Sequence, residues 1–484
     1  MSIGIKPRPK RLTSWWRLEG RSWVKWHRKS MLQLRDELHP METDHQSTPE
    51  PDLNFVAEPP NDRGSSPSGG EAQEIETSDS ADVNKKLRSA RDEIRGHRWI
   101  SFFAFCVWSL LVTQTHPFIQ LLEETSTRAT VGALNLGQVW LSSAQATSWS
   151  KFYNMTLGPQ EMGWVSIGHH QWVPSSGLVY PYLMLPFYRL HLLHGLIVLA
   201  AGLACWTLTI AMETWVGPRG ATAAVVLFLA TGSFAGVSVH TFLSNSVACS
   251  FFTISTASLV WLMQPQERVF RRDLAVASVA GLTMVLATAM QWSLEFAAVA
   301  LIVGTAIAMR RGFIRIPVAL SFIASSALCL LILRSVDRVH HHAVFRDMSL
   351  DGGTTLSVFW HNFAVQSAQI ILGLPLALVG IWAVATLMIS SRRQRETSAP
   401  GRFLIFLLFS TWLAGFFTVM AEKHSWPAPI EFDPNRWVQY PVVMMIGPLV
   451  ILGGWLLSRW RLSIYRGFLY GFIVVNVLTY GKIL

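Results

Sequence analysis

Apolar stretches about as long as a membrane crossing alternate with polar connections from residue 98 to the end of the chain. A helix needs about 20 mostly apolar residues to span a bilayer, and we identify eleven such stretches. Only the sequence QWSLE separates the fifth from the sixth, which leaves the count between ten and twelve. The predicted spans cover 98–116, 190–211, 220–239, 243–263, 274–291, 293–309, 316–334, 369–390, 403–420, 438–458 and 467–483.

The composition excludes a soluble enzyme. Of the 484 residues, 14% are charged and 51% are hydrophobic, whereas soluble proteins carry about 25% charged residues. Tryptophan occurs 21 times against 8 tyrosines, and tryptophan favours the membrane–water boundary, where its ring is buried and its N–H stays hydrated. We therefore expect an all-α polytopic membrane protein. The net charge of +10 indicates membrane topology and lipid contact rather than nucleic-acid binding.

The arginines predict which side of the membrane each connection occupies. Cytoplasmic loops carry an excess of Lys and Arg, and with a cytoplasmic N-terminus fourteen arginines fall in short inner connections. Three longer polar segments, 117–189, 335–368 and 421–437, then lie on the outer side. Because polar sequence is concentrated there, we expect the chemistry at the outer membrane face. The inner arginines are Arg219, Arg268, Arg271, Arg272, Arg310, Arg311, Arg315, Arg392, Arg393, Arg395, Arg402, Arg459, Arg461 and Arg466.

The first 97 residues differ from the rest of the chain and are predicted to form a cytoplasmic region. Residues 1–40 hold ten Lys/Arg and three Asp/Glu, interleaved with tryptophans. This pattern is typical of a segment on an anionic membrane surface, or equally of a disordered basic tail. Residues 41–83 hold eleven Asp/Glu and one Arg, and this polar stretch is expected to be a disordered linker. The predicted transmembrane domain covers 98–484.

An acidic pair opens the first outer segment. Glu123 and Glu124 closely follow the first span, and the small or apolar residues after them recur with helical spacing. The sequence thus predicts an amphipathic helix at the outer interface with both carboxylates at its start. The helix dipole alone favours acidic side chains at that position. Alternatively, one carboxylate serves as a general base or a metal ligand.

Polar and aromatic residues precede the second span. His169 and His170 lie between tryptophans, and the run YPYLMLPFYRL, which includes Tyr182 and Arg189, leads into the membrane. Adjacent histidines point in different directions in regular structure, so this pair alone does not predict a metal site. Either one histidine binds a phosphate or activates a hydroxyl, or both are simply hydrated at the interface.

Taken in order, these motifs resemble the GT-C integral-membrane glycosyltransferases, in particular the bacterial members related to protein mannosyltransferases and aminoarabinose transferases. In that family an acidic residue opens the first outer helix, a Leu–Gly ending follows, and a proline- and tyrosine-rich segment re-enters the membrane. Here Glu123, the ending ALNLGQ and the run YPYLMLPFYRLHLLHG have that order. The late sequence FDPNRWVQYP is also similar to a family motif. The family commonly has Asp where this chain has Glu123.

The resemblance implies a GT-C-like fold with outer-face interfacial helices. It also implies transfer of a sugar from a polyprenyl-phosphate donor to a lipid, glycan or protein acceptor at the outer face, as in glycosylation of the cell envelope. The reaction would invert the anomeric centre, with Glu123 or Glu124 as the base for the acceptor hydroxyl. Cations would neutralise the phosphate leaving group, and those in the outer segments are Arg436, Arg189, Lys423 and His424.

Further polar residues on the outer side are candidates for substrate contacts. His240 and Asn245 lie around the outer start of the fourth predicted span, where polar groups often mark a substrate path. The three histidines 340–342 are consecutive and cannot all face one ion, so no metal site is predicted. The sequence requires no cofactor and leaves a divalent cation open. The predicted substrate-binding residues are His169, His170, Tyr182, His240 and Asn245.

Two other functions fit the same topology. One is a different outer-face transferase or ligase that uses lipid-linked substrates without the acidic pair, and the other is a non-enzymatic transporter or scaffold. The scarcity of ionisable residues inside the spans argues against a proton-coupled transporter. We expect the chain in a bacterial plasma membrane with its N-terminus in the cytoplasm.

Overall fold

Helices form most of the part of the chain that the structure describes, in agreement with the sequence. The region predicted over 1–97 lies outside the described residues except for its last three, and the outer segment 421–437 lies outside them entirely. The computed structural model describes residues 95–113, 122–138, 141–142, 145, 164–168, 171–174, 177–192, 194–231, 244–264, 269–291, 294–339, 355–373, 375–389, 397–420 and 446–480.

The elements are numbered in chain order. Helix α1 covers 95–113. The next elements are α2 (Leu122–Asn135), β1 (Leu141–Ser142), β2 (Trp164–Gly168), β3 (Gln171–Pro174), α3 (Val179–Arg189), α4 (Gly195–Val216), α5 (Pro218–Ala230) and α6 (Ser244–Leu262). They are followed by α7 (Phe270–Met290), α8 (Glu295–Arg310), α9 (Ile316–Val339), α10 (Leu356–Gly373), α11 (Pro375–Ile389), α12 (Ala399–Met420), α13 (Ile446–Leu457) and α14 (Leu462–Tyr480).

The apolar helices make this an integral membrane protein. Within the described residues, five helices are long and apolar enough to cross a bilayer, namely α4, α6, α7, α9 and α12. Shorter apolar helices are α5, α13 and parts of α11 and α14. The sequence-based count of eleven spans stays a prediction.

Helix α6 forms the centre of the bundle and is almost entirely buried. It packs against α4, α7 and α13, although its sequence contains many serines and threonines. Several of their hydroxyls bond to the helix's own backbone: Ser250 donates to the carbonyl of Ser246 at 2.8 Å, and Thr253 donates to the carbonyl of Cys249 at 2.8 Å. These bonds satisfy buried polar groups without a partner on another helix. A polar-looking sequence can therefore form the core.

Helix ends that the sequence assigns to one side of the membrane meet in the structure. Arg98, near the start of α1, forms a 2.6 Å ion pair with Glu213, near the end of α4. Tyr465, near the start of α14, donates from its hydroxyl to the carbonyl of Arg219 at 3.0 Å, at the start of α5. We call this end of the bundle, marked by Arg98 and Arg219, the arginine end. The arrangement makes α1 and α4 antiparallel.

Two features of the fold differ from the sequence prediction. The all-α class is incomplete, because β1, β3 and β2 form a three-stranded antiparallel sheet. Within the predicted span 369–390, the structure describes α10 up to Gly373 and α11 from Pro375. The segment 335–368, predicted as a polar connection, holds most of α10.

Candidate functional site

The helix that carries the acidic pair lies against the segment that re-enters the bundle. Helix α2 packs against α3 and β3. Val131 joins the main core together with Val179 and Tyr180 of α3. On another side of the helix, Ala129 and Ala133 form a small cluster with Leu141, against which Trp172 packs. These contacts fix α2 between the re-entry helix and the sheet.

The sequence ALNLGQ is the end of α2, and its glycine is needed for the turn. The backbone N–H of Gln138 donates to the carbonyl of Ala133 at 2.9 Å, and the N–H of Gly137 donates to the carbonyl of Leu134 at 3.0 Å. This pair of bonds is a Schellman motif, which requires a left-handed residue, and Gly137 has a φ of 77°. The sequence ALNLGQ, which is part of the family resemblance, is therefore explained by the turn that ends α2.

Side-chain bonds continue from this turn to the sheet. The Nε2 of Gln145 donates to the Oε1 of Gln138 at 3.0 Å. The backbone N–H of Ser142 donates to Oε1 of Gln145 at 2.9 Å, and the N–H of Gln145 donates in return to the hydroxyl of Ser142 at 3.2 Å. These reciprocal bonds connect the end of α2 to β1.

The antiparallel sheet brackets the histidine pair in the chain. Strands β2 and β3 pair with Gly168 opposite Gln171, and β1 pairs with β3 through Leu141 opposite Trp172. His169 and His170 are the two residues between the paired ends and lie outside the described residues. Their proposed contact with substrate stays a prediction.

The proline- and tyrosine-rich run forms its own short helix, α3, instead of the beginning of the second span. Tyr180 is fully buried, whereas Tyr182 is 38% exposed. Burial raises the pKa of Tyr182, so its hydroxyl stays a hydrogen-bond donor well above neutral pH. The turn after α3 brings the ring of Phe187 against Gly195, where a Cβ would lie 2.6 Å from Cδ1 of that ring. This close approach explains the glycine of LHLLHG.

The acidic pair and Arg189 lie at opposite ends of α2. Glu123 and Glu124 are in the first turn of this helix, as predicted, and their side chains are outside the described part of the structure. Arg189 donates from Nε to Oδ1 of Asn135, the last residue of α2, at 3.0 Å. At a rise of 1.5 Å per residue, Glu124 and Asn135 are separated by about 16 Å along the helix. The structure therefore places Arg189 beside Asn135 rather than beside the acidic pair.

Arg128 is a cation nearer to the acidic pair, and it is not among the site residues predicted from the sequence. It follows Glu124 by four residues in the same helix, which places the two on one face, about 6 Å apart along the axis. Arg128 is half-buried, and its Nε is inaccessible to solvent. The i, i+4 spacing of Glu124 and Arg128 within the predicted helix already indicates in the sequence that the two residues share a face.

Of the remaining predicted site residues, the structure describes Asn245. Asn245 lies at the start of α6 and is 6% exposed. Trp261, near the other end of α6, has its ring centroid 5.2 Å from the guanidinium of Arg272. Arg272 lines a cavity with Arg98 and Glu213 at the arginine end. Asn245 therefore lies at the end of α6 that is farther from the arginine end. His240, Lys423, His424 and Arg436 lie outside the described residues. Within the described residues, no group of three His, Cys, Asp or Glu side chains is arranged to hold a metal ion.

Comparisons by sequence and by structure differ in outcome. No protein-family model and no curated sequence matches this chain. The fold is similar to the crystal structure of ArnT from Cupriavidus metallidurans bound to undecaprenyl phosphate, with a TM-score of 0.48 and 12% identity, over 78% of this chain and 62% of ArnT. For ArnT in the apo state the TM-score is 0.48 and the identity is 13%, over 77% and 61% of the two chains.

An archaeal structure is similar as well. It is the oligosaccharyltransferase from Archaeoglobus fulgidus in the apo form, with a TM-score of 0.44 and 11% identity, over 79% of this chain and 55% of that one. The chain thus spans about three fifths of the length of ArnT, and 55% of the length of the oligosaccharyltransferase. The structures to which this fold is similar are GT-C glycosyltransferases, the class that the sequence resembles.

Proposed function

We propose that this protein transfers a sugar from a polyprenyl-phosphate donor to an acceptor at the outer face of the membrane. The observation that carries the proposal is the position of α2. This helix begins with Glu123 and Glu124 and packs on the re-entry helix α3. Helix α3 directly precedes the start of α4, whose other end bears Glu213 at the arginine end. This packing supports our placing of α2, and with it the acidic pair, at the end of the bundle where the sequence predicts the outer face.

The proposed reaction is a direct displacement at the anomeric carbon. One carboxylate, of Glu123 or Glu124, accepts the proton of the acceptor hydroxyl while the acceptor oxygen bonds to the anomeric carbon. The bond from that carbon to the phosphate oxygen breaks, the configuration inverts, and polyprenyl phosphate leaves with the bonding electrons. Negative charge on the departing phosphate requires cations, and Arg offers it a planar fork of donors.

Arg128 is the cation that the helix geometry best supports for the phosphate. Its position one turn after Glu124 allows it to reach a substrate held at the start of α2. Arg189 bonds to Asn135 instead, which gives it a role in positioning α3 against α2. Arg436, Lys423 and His424 stay proposed phosphate ligands from the sequence, and His169, His170, Tyr182, His240 and Asn245 stay proposed contacts to the sugar or the acceptor.

The proposal also includes an orientation in the membrane and a set of partners. The arginine end is the cytoplasmic side, the chain crosses a bacterial plasma membrane about eleven times, and membrane lipid surrounds it. The donor is a polyprenyl-phosphate sugar, and the acceptor is a lipid, a glycan or a protein. No nucleic acid takes part.

The test is a transfer assay on the purified full-length protein in liposomes. A panel of radiolabelled polyprenyl-phosphate sugars is supplied together with membrane extract as the source of acceptor. We expect label to move from at least one donor into an acceptor fraction, with release of polyprenyl phosphate. Movement of an intact labelled lipid between leaflets, without loss of the sugar, would instead support a transporter and overturn the proposal.

A further inference from the structure

A groove follows α1 and α4 along the surface of the bundle. Its half near the arginine end is a cavity of about 650 Å³, and its other half is a cavity of about 590 Å³. Phe105 and Gly202 line both halves, so the two cavities meet at these residues. Gly202 allows the ring of Phe105 to lie against α4, because a Cβ at this position would be 3.0 Å from Cζ of Phe105.

The walls of the groove are apolar and exposed. Phe102, Leu199, Leu203 and Trp206 all line it and are all exposed, with 63% of Trp206 accessible. Helix α4 is long and apolar enough to cross a bilayer, so we expect its side chains Leu199, Leu203 and Trp206 to contact lipid in the membrane. A long apolar groove on such a surface fits an acyl chain, which buries apolar area along its whole length.

The groove carries a net positive charge where it reaches the arginine end. Three charged side chains line it there, those of Arg98, Glu213 and Arg272. Arg98 donates from Nε and Nη2 to the two carboxylate oxygens of Glu213, at 2.8 and 2.6 Å, so these two charges cancel. Glu213 is the one carboxylate among the described residues that line the groove. The charge of Arg272 therefore remains for a ligand.

Arg272 is also held in place for binding. Its guanidinium carbon lies 5.2 Å from the ring centroid of Trp261, within the range of a cation–π contact. A side chain that is already restricted loses less conformational entropy when it binds a phosphate. The groove thus combines a preorganised cation at its end with an apolar channel directly above it.

We propose that this groove binds an anionic phospholipid of the leaflet at the arginine end. The phosphate lies beside Arg272, and one acyl chain runs past Phe102 and Trp206 towards Gly202. Basic pockets between membrane helices on the cytoplasmic side are suited to anionic headgroups, which they attract over the distance of a Debye length. The lipid would brace α1 against α4, and this role is independent of the proposed sugar transfer.

The test compares lipid binding by the full-length protein and two arginine variants. Detergent-purified protein is titrated with phosphatidylglycerol or phosphatidylcholine, and bound lipids are counted by native mass spectrometry. Arg272→Gln removes the headgroup ligand, and Arg466→Gln is the matched control, because Arg466 is an exposed arginine of α14 that does not line the groove. We expect Arg272→Gln to weaken phosphatidylglycerol binding by about five-fold, the usual effect of one basic residue, and Arg466→Gln to leave it unchanged.

A second measurement locates the acyl chain. Phosphatidylglycerol with brominated chains should quench tryptophan fluorescence in the wild type, and Trp206→Phe should remove part of that quenching. Equal losses of binding in Arg272→Gln and Arg466→Gln would show a general charge effect and overturn the proposal. Unchanged quenching in Trp206→Phe, or tighter binding of a polyprenyl phosphate than of phosphatidylglycerol, would overturn it as well.

Discussion

The Nε of Arg189 donates to Oδ1 of Asn135 at 3.0 Å and so joins the last residue of α3 to the last residue of α2. Asn135 is followed by the Schellman turn at Gly137, and Arg189 is followed by the turn into α4. One bond therefore connects the helix that begins with the acidic pair to the helix that returns the chain to the bundle.

We expect this bond to contribute to the free energy of unfolding. The effects of substituting its two partners should therefore not be additive. Arg189→Gln and Asn135→Ala should each lower the free energy of unfolding by about 1 kcal/mol or less, since the bond is exposed. The double variant should lose no more than the larger single loss, because both substitutions remove one bond. Thermal unfolding of the purified variants in detergent measures this cycle, and additive losses would show that the two residues do not interact.

Arg128 and Arg189 should differ in their effect on sugar transfer. Loss of a group that stabilises developing charge in the transition state lowers the rate by about 100-fold, and we expect a loss of this size for Arg128→Gln. Arg189→Gln should lower the rate by a much smaller factor, through the position of α2. Initial rates in the liposome assay distinguish the two variants, and a larger loss in Arg189→Gln would contradict the assignment of Arg128.

The ion pair between Arg98 and Glu213 should be recovered by exchanging the charges. The side chain of Glu213 is only 13% exposed, whereas that of Arg98 is 61% exposed, so Arg98→Glu would place a second carboxylate beside the poorly hydrated carboxylate of Glu213. We expect that variant to unfold at a lower temperature, and the double variant Arg98→Glu/Glu213→Arg to recover most of the loss. Failure of the double variant to recover stability would show that the pair does not hold α1 to α4.

Two glycines within helices should respond to alanine in opposite directions. At Gly281 of α7, a Cβ would meet the backbone carbonyl of Phe322 in α9, and overpacking of this kind costs about 1–3 kcal/mol. At Gly467 of α14, a Cβ would meet nothing within 4 Å, and alanine should stabilise the helix by up to about 1 kcal/mol. Melting temperatures of Gly281→Ala and Gly467→Ala test the crossing of α7 and α9, which would be contradicted by equal values.

The sequence predicted the helical class and the helix that begins with Glu123 and Glu124, because both depend on local spacing of apolar residues. The arginines also predicted which connections lie at one end of the bundle. Arg272, for example, lines one cavity together with Arg98. The number and spacing of apolar residues are properties of the sequence alone, and they do not depend on what each helix packs against.

The sheet could not be predicted in the same way. Strands β1, β2 and β3 have two, five and four residues, too short for an alternating pattern to stand out, and their pairing depends on contacts between residues far apart in the chain. The bond from Arg189 to Asn135 joins residues 54 positions apart, and no local pattern indicates it.

The most direct test of the proposed chemistry replaces each carboxylate at the start of α2 separately. Glu123→Gln and Glu124→Gln keep the size of the side chain and remove its basicity, and Glu71→Gln, in the acidic stretch 41–83, is a matched control. All three variants are compared with the wild type for membrane insertion and for the rate of sugar transfer in liposomes. We predict normal insertion throughout, a rate at least about 100-fold lower for Glu123→Gln or Glu124→Gln, and an unchanged rate for Glu71→Gln. Wild-type transfer rates in both Glu123→Gln and Glu124→Gln would contradict the proposal that the acidic pair supplies the base.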